Sequence, residues 1–544
     1  MWRKWTLLMV TVLSVSVASW NDDYHNIHRK PSRPPVLPGE DTKEYWLRDA
    51  QDAIEARIKR HAGRSIPEKA RNVVMFLGDG MSIPTLAAAR TLLGQRNGRP
   101  GEEEELSFES FPTAGLVKTY CVDAQIADSA CTATAYLSGV KNNEGAIGVT
   151  AAVPFGDCEA SVPTSRHVES IAAWALADGR DAGVVTTTRV THASPAGVYA
   201  NVASRYWEND AAVREDSADP SRCPDIAHQL VHSHPGNKFK VIMGGGRREF
   251  IPANKVDEEG QSGLRSDGKN LIEEWAAQKA TQNVTHQYVW NRNQLLAVNE
   301  NLPEYLLGLF EGTHLLYHME TVNITTEPTL EEMTETAIRM LSRNDKGFFL
   351  FVEGGRIDHA HHDNLVELAL DETIEFSKAV ARATELLSEE DSLIVVTADH
   401  AHVMAINGYT QRGRSILGPA DSPDPNGVPY MTLTYTNGPG FRSHVDGKRT
   451  DPTQENDFGD RLTWMSHVDI NMTWETHGGD DVAVFALGPH HEMFSGLYEQ
   501  SHLPYRMAYA ACIGPGHIAC NAGVIHHSIL FSIVSLIAII GNFF

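Results

Sequence analysis

The stretch "GFFLFVEGGRIDHAHHDN", residues 347–364, joins a continuous apolar run to a cluster of acidic and histidine side chains. The run 348–352 has no alternating polar residues, which is typical of a strand covered on both faces in a parallel sheet. The seven residues 358–364 hold two aspartates and three histidines. If a helix follows the strand, Asp358 and His362 lie four positions apart on one face and can bind one cation. The stretch therefore predicts a strand that leads into a metal site.

Five other runs share this continuously apolar character: "NVVMFLGDG", "DAGVVTTTR", "FKVIMGGG", "SLIVVTADH" and "DVAVFALG". We expect all of them to be parallel strands. Helical patterns separate several of the runs, for example the apolar spacing from Val366 to Val380. This alternation predicts an α/β fold, a three-layer α/β/α sandwich around a mostly parallel central sheet.

The rest of the chain divides by composition. Residues 21–44 are polar and proline-rich, and a helical spacing of apolar residues begins at Trp46. Residues 408–470 are rich in glycine, proline and aspartate and lack the strand–helix rhythm, so we expect an inserted subdomain before the last strand. The predicted division is a signal peptide at 1–18, an arm at 19–44, an α/β domain at 45–407 and 471–520, an insertion at 408–470 and a carboxyl-terminal propeptide at 522–544.

Both ends of the chain carry features of protein export. Two basic residues precede a short apolar stretch that ends near Ala18, which favours a cleaved signal peptide over an N-terminal membrane anchor. At the other end, small residues from Asn521 precede an apolar tail with no lysine or arginine behind it. Such a tail favours a GPI-attachment signal, with Asn521 as the attachment site, over a stop-transfer helix. We therefore expect a protein anchored at the extracellular face of the cell membrane.

The cysteines, sequons and charge agree with that location. Six cysteines are an even number, which favours three disulfides in an oxidising compartment, although their spacing leaves the connectivity open. Asn283, Asn323 and Asn471 begin glycosylation sequons. A formal net charge of −24 argues against a nucleic-acid-binding protein. It also means that an anionic substrate must be held by local positive charge.

Chemically active residues follow the ends of several predicted strands. Ligands of open parallel sheets bind beyond the carboxyl ends of the strands. One such residue alone is more simply a helix cap, but several strand ends together predict a functional site. The residues in question are Asp79, Glu353, Asp399, His400 and, a few positions past its strand, His192. Other histidines are His477, just before "DVAVF", His402, expected in a supporting position, and His359 and His361, expected to be solvated or supporting.

Ser129 in "DSACTATAY" is a candidate nucleophile. The small residues after it can open a helix, and a hydroxyl at that place lies near the positive end of the helix, where an anion is favoured. The alternative is a purely structural N-cap. No Gly-x-Ser-x-Gly motif surrounds the serine, so activation by a bound metal is a better hypothesis than a histidine-based triad.

From Tyr45 to Cys520 the chain resembles the alkaline phosphatase family in its eukaryotic, membrane-anchored, invertebrate-like form. The resemblance is carried, in order, by "FLGDGMS", "DSACTATAYLSGVK", "TTTRVTHASPAGVYAN", "LSRNDKGFFLFVEGGRIDHAHHDN", "VTADHAHV" and "ETHGGDDVAVFALGP". It implies a metal-dependent hydrolase that cleaves many phosphate monoesters through a phosphoserine on Ser129, releasing an alcohol and inorganic phosphate. Small phosphate monoesters and phosphoproteins are the implied substrates, and a homodimer is the implied assembly.

The resemblance also implies the role of each site residue. One Zn²⁺ would be held by Asp358, His362 and His477, and a second by Asp79, Asp399 and His400. Mg²⁺ would be held by Asp79, Ser194 and Glu353, with His192 behind them, while Arg205 would bind two phosphate oxygens. Phe310, Glu311 and Glu327 match a Ca²⁺ site in part. The implied disulfides are Cys158–Cys223 and Cys512–Cys520, which leaves Cys121 with Cys131.

Three other readings are open on sequence. A phosphodiesterase or sulfatase on the same scaffold would share the metal ligands but normally lacks "DSACTATAY" and the set of Ser194, Arg205 and Glu353. A non-catalytic receptor would keep the fold without turnover. A structural adhesion module would need closed metal sites, whereas these sites leave positions open for a substrate.

Overall fold

The computed structural model describes residues 38–61, 69–323 and 326–517. Ten of its strands form one sheet in the order β15-β2-β14-β8-β1-β7-β3-β4-β6-β5. The fifteen strands of the described chain are β1 (Asn72–Gly78), β2 (Thr113–Lys118), β3 (Asp181–Arg189), β4 (Val241–Gly245), β5 (His286–Val289), β6 (Tyr305–Leu309), β7 (Phe348–Gly354), β8 (Ser392–Ala398), β9 (Ala401–His402), β10 (Met404–Ile406), β11 (Leu433–Gly438), β12 (Val468–Asn471), β13 (His477–Gly478), β14 (Val482–Leu487) and β15 (Gly496–Glu499).

The central strands β1, β7 and β8 are buried along their whole length. They pair in parallel, as their unbroken apolar sequences predict. The prediction of a parallel strand is wrong for "DVAVFALG", because β14 runs antiparallel to both of its neighbours, β8 and β2. An apolar run reports that a strand is covered, and it contains no information on direction. The reversal has a consequence for the site, since β14 begins at the edge where β8 ends.

Helices cover both sides of the sheet and separate its parallel strands, which agrees with an α/β fold. The longest, α13, places Val366, Leu370, Ile374 and other apolar residues in the core. The α-helices are α1 (Lys43–His61), α2 (Ile83–Arg96), α3 (Ser129–Ser138), α4 (Cys158–Ser161), α5 (Ile171–Ala177), α6 (Ala193–Ala196), α7 (Asp210–Glu215), α8 (Ile226–His232), α9 (Leu271–Thr281), α10 (Arg292–Val298), α11 (Leu330–Leu341), α12 (Arg356–His362), α13 (Val366–Leu386) and α14 (Leu503–Ala511).

The glycine- and proline-rich segment 408–470 forms a small separate sheet with the strand that precedes it. Strands β10, β11 and β12 form a three-stranded sheet separate from the main sheet. Most of the chain between them has no regular secondary structure. The main-sheet strand β14 follows this segment, but it is not the last strand, because β15 comes after it and pairs with β2 at the sheet edge. The expectation that only one strand follows the insertion is therefore wrong.

Helix α1 packs against the chain's own body. Trp46 is buried beside Val140 and Val168, and its indole nitrogen donates to the carbonyl of Glu40. Asp49 accepts a hydrogen bond of 2.6 Å from His502. The helix begins at Lys43, two residues before the boundary at 44/45 that composition suggests. Among the described residues, no helix has the length and apolar character needed to span a membrane.

Two disulfides lie within the described residues, Cys121–Cys131 and Cys158–Cys223. Cys512 is also disulfide-bonded, whereas Cys520 lies outside the described chain. The sequon residues Asn283 and Asn471 are exposed, and the side chain of Asn323 is not among those described. The predicted signal peptide, the attachment residue Asn521 and the propeptide 522–544 also lie outside the described residues.

Glu372 on α13 makes the stability of this fold depend on pH. Burial raises the pKa of Glu372 to about 7, and the neighbouring carboxyl of Asp371 adds to the rise, although the backbone N–H of His318 donates to it at 2.7 Å. A raised pKa means that the folded state binds the proton more tightly than the unfolded state. The stability from this group is therefore present below about pH 4.5 and lost as pH rises through about 7.

Glu372→Gln should consequently raise the free energy of unfolding more at pH 8 than at pH 5. The difference between its effects at the two pH values should be on the order of 3 kcal/mol. Denaturant unfolding of the variant and the wild type at both pH values measures the difference. Glu385→Gln, at an exposed position of the same helix, is the matched control and should shift little. Equal effects of the two substitutions at both pH values would contradict the assignment.

Candidate active site

The predicted site residues meet at the edge of the sheet where β1, β7 and β8 end. Asp79 directly follows β1, Glu353 is the penultimate residue of β7, and Asp399 directly follows β8. Because these three strands are adjacent in the sheet, the three carboxylates converge. All three are fully buried. The strand-end pattern of the sequence therefore identified a true three-dimensional cluster.

Residues 347–364 fold as the spacing of their side chains predicts. Helix α12 starts two residues after β7, and the Nε2 of His362 lies 3.4 Å from the Oδ1 of Asp358. Neither His359 nor His361 is solvated, since both are almost completely buried. His361 contacts the hydroxyls of Thr85 and Tyr435, and Arg356 donates to His359 at 2.8 Å.

The reversed strand β14 brings His477 to the same place. His477 lies in β13, which pairs antiparallel with β9 so that His477 is opposite His402. Its Nε2 lies 3.3 Å from the Oδ1 of Asp358 and 3.1 Å from the Nε2 of His362. Asp358, His362 and His477 thus direct one oxygen and two nitrogens towards a common point. Such a donor set suits Zn²⁺.

A second donor set adjoins the first. The Nε2 of His400 lies 3.1 Å from Asp399 and 3.5 Å from Asp79. The rings of His400 and His477 stack with their centroids 3.5 Å apart, so the two donor sets are in direct contact. Gly80 holds the turn beside them, since its backbone N–H donates to Asp399 at 2.9 Å. Its φ of +65° and the His402 ring against it leave no space for a side chain.

A third set consists mainly of oxygens. The Ser194 hydroxyl donates to Asp79 at 3.4 Å, and Asp79, His192 and Glu353 lie close enough to surround one ion. Thr188 donates to the Oε2 of Glu353 at 3.1 Å, and Thr186 donates to the same oxygen. The oxygens of Asp79, Ser194 and Glu353, with the His192 ring beside them, suit a hard cation such as Mg²⁺.

The buried charges of the three sets fit cations. Burial raises the pKa of Asp399 to about 6 and that of Glu353 to about 7, and burial together with neighbouring carboxylates raises the pKa of Asp79. Burial also lowers the pKa of His400 and holds that of His477 at about 4. In the described chain, one buried oxygen each of Asp79, Glu353 and Asp358 accepts no hydrogen bond. Deprotonated carboxylates and neutral imidazoles at such density are stabilised by bound cations.

Ser129 lies at the start of a helix, next to these donor sets. It is the first residue of α3, and Asp128 caps the helix by accepting from the backbone N–H of Cys131. The hydroxyl of Ser129 lies 3.2 Å from the Nε2 of His400. The side chain is completely buried at the floor of the site. Asp128, and not Ser129, is thus the N-cap, which leaves the serine hydroxyl available for chemistry.

Arg205 brings a buried positive charge to this site. Its Nη1 donates to the Oδ2 of Asp128 at 3.0 Å, and its Nη2 donates to the Nε2 of His192 at 3.1 Å. The buried ion pair holds the guanidinium in one orientation, and although burial opposes it, Asp128 raises the pKa of Arg205. A guanidinium fixed in this way can bind two oxygens of a phosphate.

Two supporting residues were not predicted from the sequence. Glu475 is fully buried and accepts from the Nδ1 of His402 at 2.5 Å, and its backbone carbonyl accepts from the Nδ1 of His362 at 2.5 Å. Asp128 orients Arg205, as described above. Nothing in the segment "NMTWETHGG" marks Glu475, because its role comes from the pairing of β9 with β13. The ion pair of Asp128 likewise depends on a residue 77 positions away.

The residues that partly match a Ca²⁺ site form a separate acidic group. Glu311 follows Phe310 just after β6 and accepts from Gln261 at 2.9 Å. Burial raises the pKa of Glu327 to about 8, and the nearby carboxylates of Glu311 and Glu259 add to the rise. Of these three carboxylates Glu327 is buried, Glu311 is half-buried and Glu259 is exposed, so the acidic group surrounds one buried member.

Comparison with known proteins agrees with this geometry. Residues 70–513 match the family model described as alkaline phosphatase. The chain is 61% identical over 497 residues to the membrane-bound alkaline phosphatase of Bombyx mori, covering 91% of this chain and 90% of that protein. It is 44% identical to the tissue-nonspecific isozyme of Gallus gallus over 486 residues, covering 88% and 91%.

Solved structures share the fold. Alkaline phosphatase from the Antarctic bacterium TAB5 aligns with a TM-score of 0.56 at 19% identity, covering 82% of this chain and 99% of that one. The Thermus thermophilus enzyme aligns with a TM-score of 0.57 at 22% identity, covering 82% and 92%. A variant of the TAB5 enzyme is described with Mg bound in its M3 site. From the family model and the relatives, this chain belongs to the alkaline phosphatase family, and phosphate monoesters are its substrates.

Proposed function

We propose that the protein hydrolyses phosphate monoesters through a phosphoserine on Ser129, at a site that holds two Zn²⁺ and one Mg²⁺. The observation that carries the proposal is the position of the Ser129 hydroxyl, 3.2 Å from His400 and next to the arginine-binding Asp128. A nucleophile, a cation site and a phosphate-binding guanidinium thus come together at one helix start.

The cation sites divide by their donors. One Zn²⁺ would be held by Asp358, His362 and His477. The other Zn²⁺ would be held by Asp79, Asp399 and His400. The Mg²⁺ would be held by Asp79, Ser194 and Glu353. When bound, these cations neutralise the charge of the phosphate and lower the pKa of a hydroxyl or water beside them. Ca²⁺ at Phe310, Glu311 and Glu327 is the fourth ion we propose, and the carboxylate density around Glu327 supports it.

The residues of the chain would act in two displacements. Arg205 binds two oxygens of the phosphate and directs phosphorus towards Ser129. The Ser129 oxygen attacks phosphorus, the bond to the leaving alcohol breaks, and the alcohol departs with a proton. Water then attacks the phosphoserine from the opposite side, releasing inorganic phosphate and restoring the hydroxyl. Since these contacts involve only the phosphoryl group, we expect the protein to accept phosphate monoesters of many alcohols, including phosphoproteins.

A comparison of substrates tests this function. A chromogenic phosphate monoester, the matched diester and the matched sulfate are offered to the purified protein with and without a zinc chelator. We expect chelator-sensitive turnover of the monoester and turnover of the other two lower by about a hundredfold or more. Preference for the diester or the sulfate would assign the chain to another activity on this scaffold, and no turnover by zinc-loaded protein would favour a receptor.

We also propose that the protein is a homodimer tethered by a GPI anchor to the outer face of the cell membrane. The membrane-bound name of the Bombyx mori relative supports the tether. Treating intact expressing cells with a phosphatidylinositol-specific phospholipase should release the activity into the medium. Activity that stays with the cells after complete phospholipase digestion of a control GPI protein would contradict the anchor, and a monomeric mass in light scattering would contradict the dimer.

A further inference from the structure

The disulfide Cys121–Cys131 lies unusually close to the reacting groups. Cys131 is in the first turn of α3, two residues after Ser129, and Cys121 starts the segment that leads into that helix. We call residues 122–127, which the disulfide closes, the cysteine loop. No step of the proposed reaction uses either sulfur atom, so a role for this disulfide has to come from the groups that it holds in place.

The first residue of the cysteine loop is anchored independently of the disulfide, because Val122 packs against the cluster of Trp46, Val140 and Val168 and its backbone N–H donates to the carbonyl of Asn142 at 2.9 Å. Cys121, Ala124, Ala127 and Cys131 form a small buried cluster that is separate from the main core. At the outer side of the loop, Ile126 is 48% exposed. Two of the four residues in this cluster are the cysteines themselves, so the disulfide is a large part of what holds the Ala127 end of the loop.

Two active-site contacts depend on the end of this loop. The carbonyl of Ala127 accepts a hydrogen bond of 2.7 Å from the Nδ1 of His477. This bond fixes the ring so that its Nε2 faces Asp358. The next residue, Asp128, accepts from the Nη1 of Arg205 at 3.0 Å and from the backbone N–H of Gly145 at 3.0 Å.

From these contacts we infer that the Cys121–Cys131 disulfide is a positioning element for both a zinc ligand and the phosphate-binding arginine, an inference that rests on the proposed function. The disulfide ties the start of the cysteine loop to the first turn of α3. Through Ala127 it keeps His477 directed at the cation site, and through Asp128 it keeps Arg205 directed at the phosphate. Opening it loosens both contacts at once, while Ser129 keeps its place in the helix.

The test uses Cys121→Val combined with Cys131→Ala, which removes the covalent link but keeps the cluster apolar. We expect the inhibition constant for inorganic phosphate to rise about tenfold, because Arg205 is less well oriented. We also expect zinc to leave the protein about tenfold faster, measured with a coloured zinc chelator, because His477 is less well held. KM should rise more than kcat falls.

The matched control removes the other described disulfide by Cys158→Ala combined with Cys223→Ala. That bridge closes 65 residues, so its loss should lower the melting temperature. It should leave the phosphate inhibition constant and the zinc release rate unchanged. If the Cys121/Cys131 variant does not fold, the folded Cys158/Cys223 variant, which already lacks the control bridge, is measured in the same way before and after reduction with a water-soluble phosphine and reloading with zinc under inert gas.

The outcomes separate the inference from the function on which it rests. Unchanged phosphate inhibition and unchanged zinc release in the opened protein would overturn the inference, even if its melting temperature fell. The same result for both disulfide variants would also overturn it, because a general loss of stability would then explain the changes. Failure of the wild-type protein to bind zinc or to be inhibited by phosphate would instead overturn the proposed function.

Discussion

Ser129→Ala should lower kcat for a chromogenic phosphate monoester by about ten-thousandfold or more. The substitution removes the oxygen that we propose forms the bond to phosphorus. The cation sites use other side chains, so the variant should still bind its metals. The measurement is steady-state turnover together with metal content by mass spectrometry.

Ser138→Ala is the matched control for this experiment. Ser138 is also buried and lies in the same helix, at the end opposite to Ser129. Its replacement should leave kcat within about twofold of wild type, because Ser138 lies at the far end of the helix and its buried hydroxyl has no hydrogen-bond partner among the described residues. A Ser129→Ala protein that retains most of its turnover with full metal content would contradict the role of this serine.

The second large effect should come from His362. His362→Asn removes one nitrogen from the set formed with Asp358 and His477, so we expect the loss of one zinc per subunit and a fall in kcat/KM of about a hundredfold or more. The adjacent His361 is equally buried but faces Thr85 and Tyr435. His361→Asn should therefore keep both zinc ions, although it can lower the melting temperature.

The comparison of His361 with His362 is informative because the two side chains are equally buried but contact different residues. Metal content of the two variants, measured after dialysis against buffer with trace zinc, distinguishes a ligand from a packed histidine. Equal zinc loss in both variants would mean that disturbance of α12 causes the effect. Retention of two zinc ions in His362→Asn would contradict the assignment of His362 as a ligand.

The sequence predicts the centre of this fold better than its edges. Strands β1, β7 and β8 are covered on both faces, so burial selects unbroken apolar runs that are visible without a structure. Strand β2 lies near one edge, alternates buried with exposed residues and contains a glycine, and its neighbour β15 is half exposed. At the other edge, β5 is mostly polar. Weak burial leaves weak sequence patterns, and these three strands are not predicted from the sequence. Strand β6 is not predicted either, although it is buried along its whole length, so burial does not explain every missed strand.

The site follows the same physical logic. Asp79, Glu353 and Asp399 could be predicted because a parallel sheet gathers its strand ends at one edge. The contribution of His477 depends on the direction of β14, which its composition does not encode. Glu475 and Asp128 act through partners far away in the sequence, so only the folded chain reveals them. Local patterns thus identify residues that are aligned by regular structure, and tertiary contacts identify the residues that orient them.

The central claim is that the reaction passes through a phosphoserine on Ser129. The most direct measurement is to mix the zinc- and magnesium-loaded protein with a phosphate monoester, stop the reaction in acid within the first turnovers and sequence the peptides by mass spectrometry. We predict a phosphoryl group on the peptide that contains Ser129, located on that residue and absent from Ser129→Ala. Turnover with no phosphorylated peptide, or with the phosphoryl group on another residue, would contradict the account.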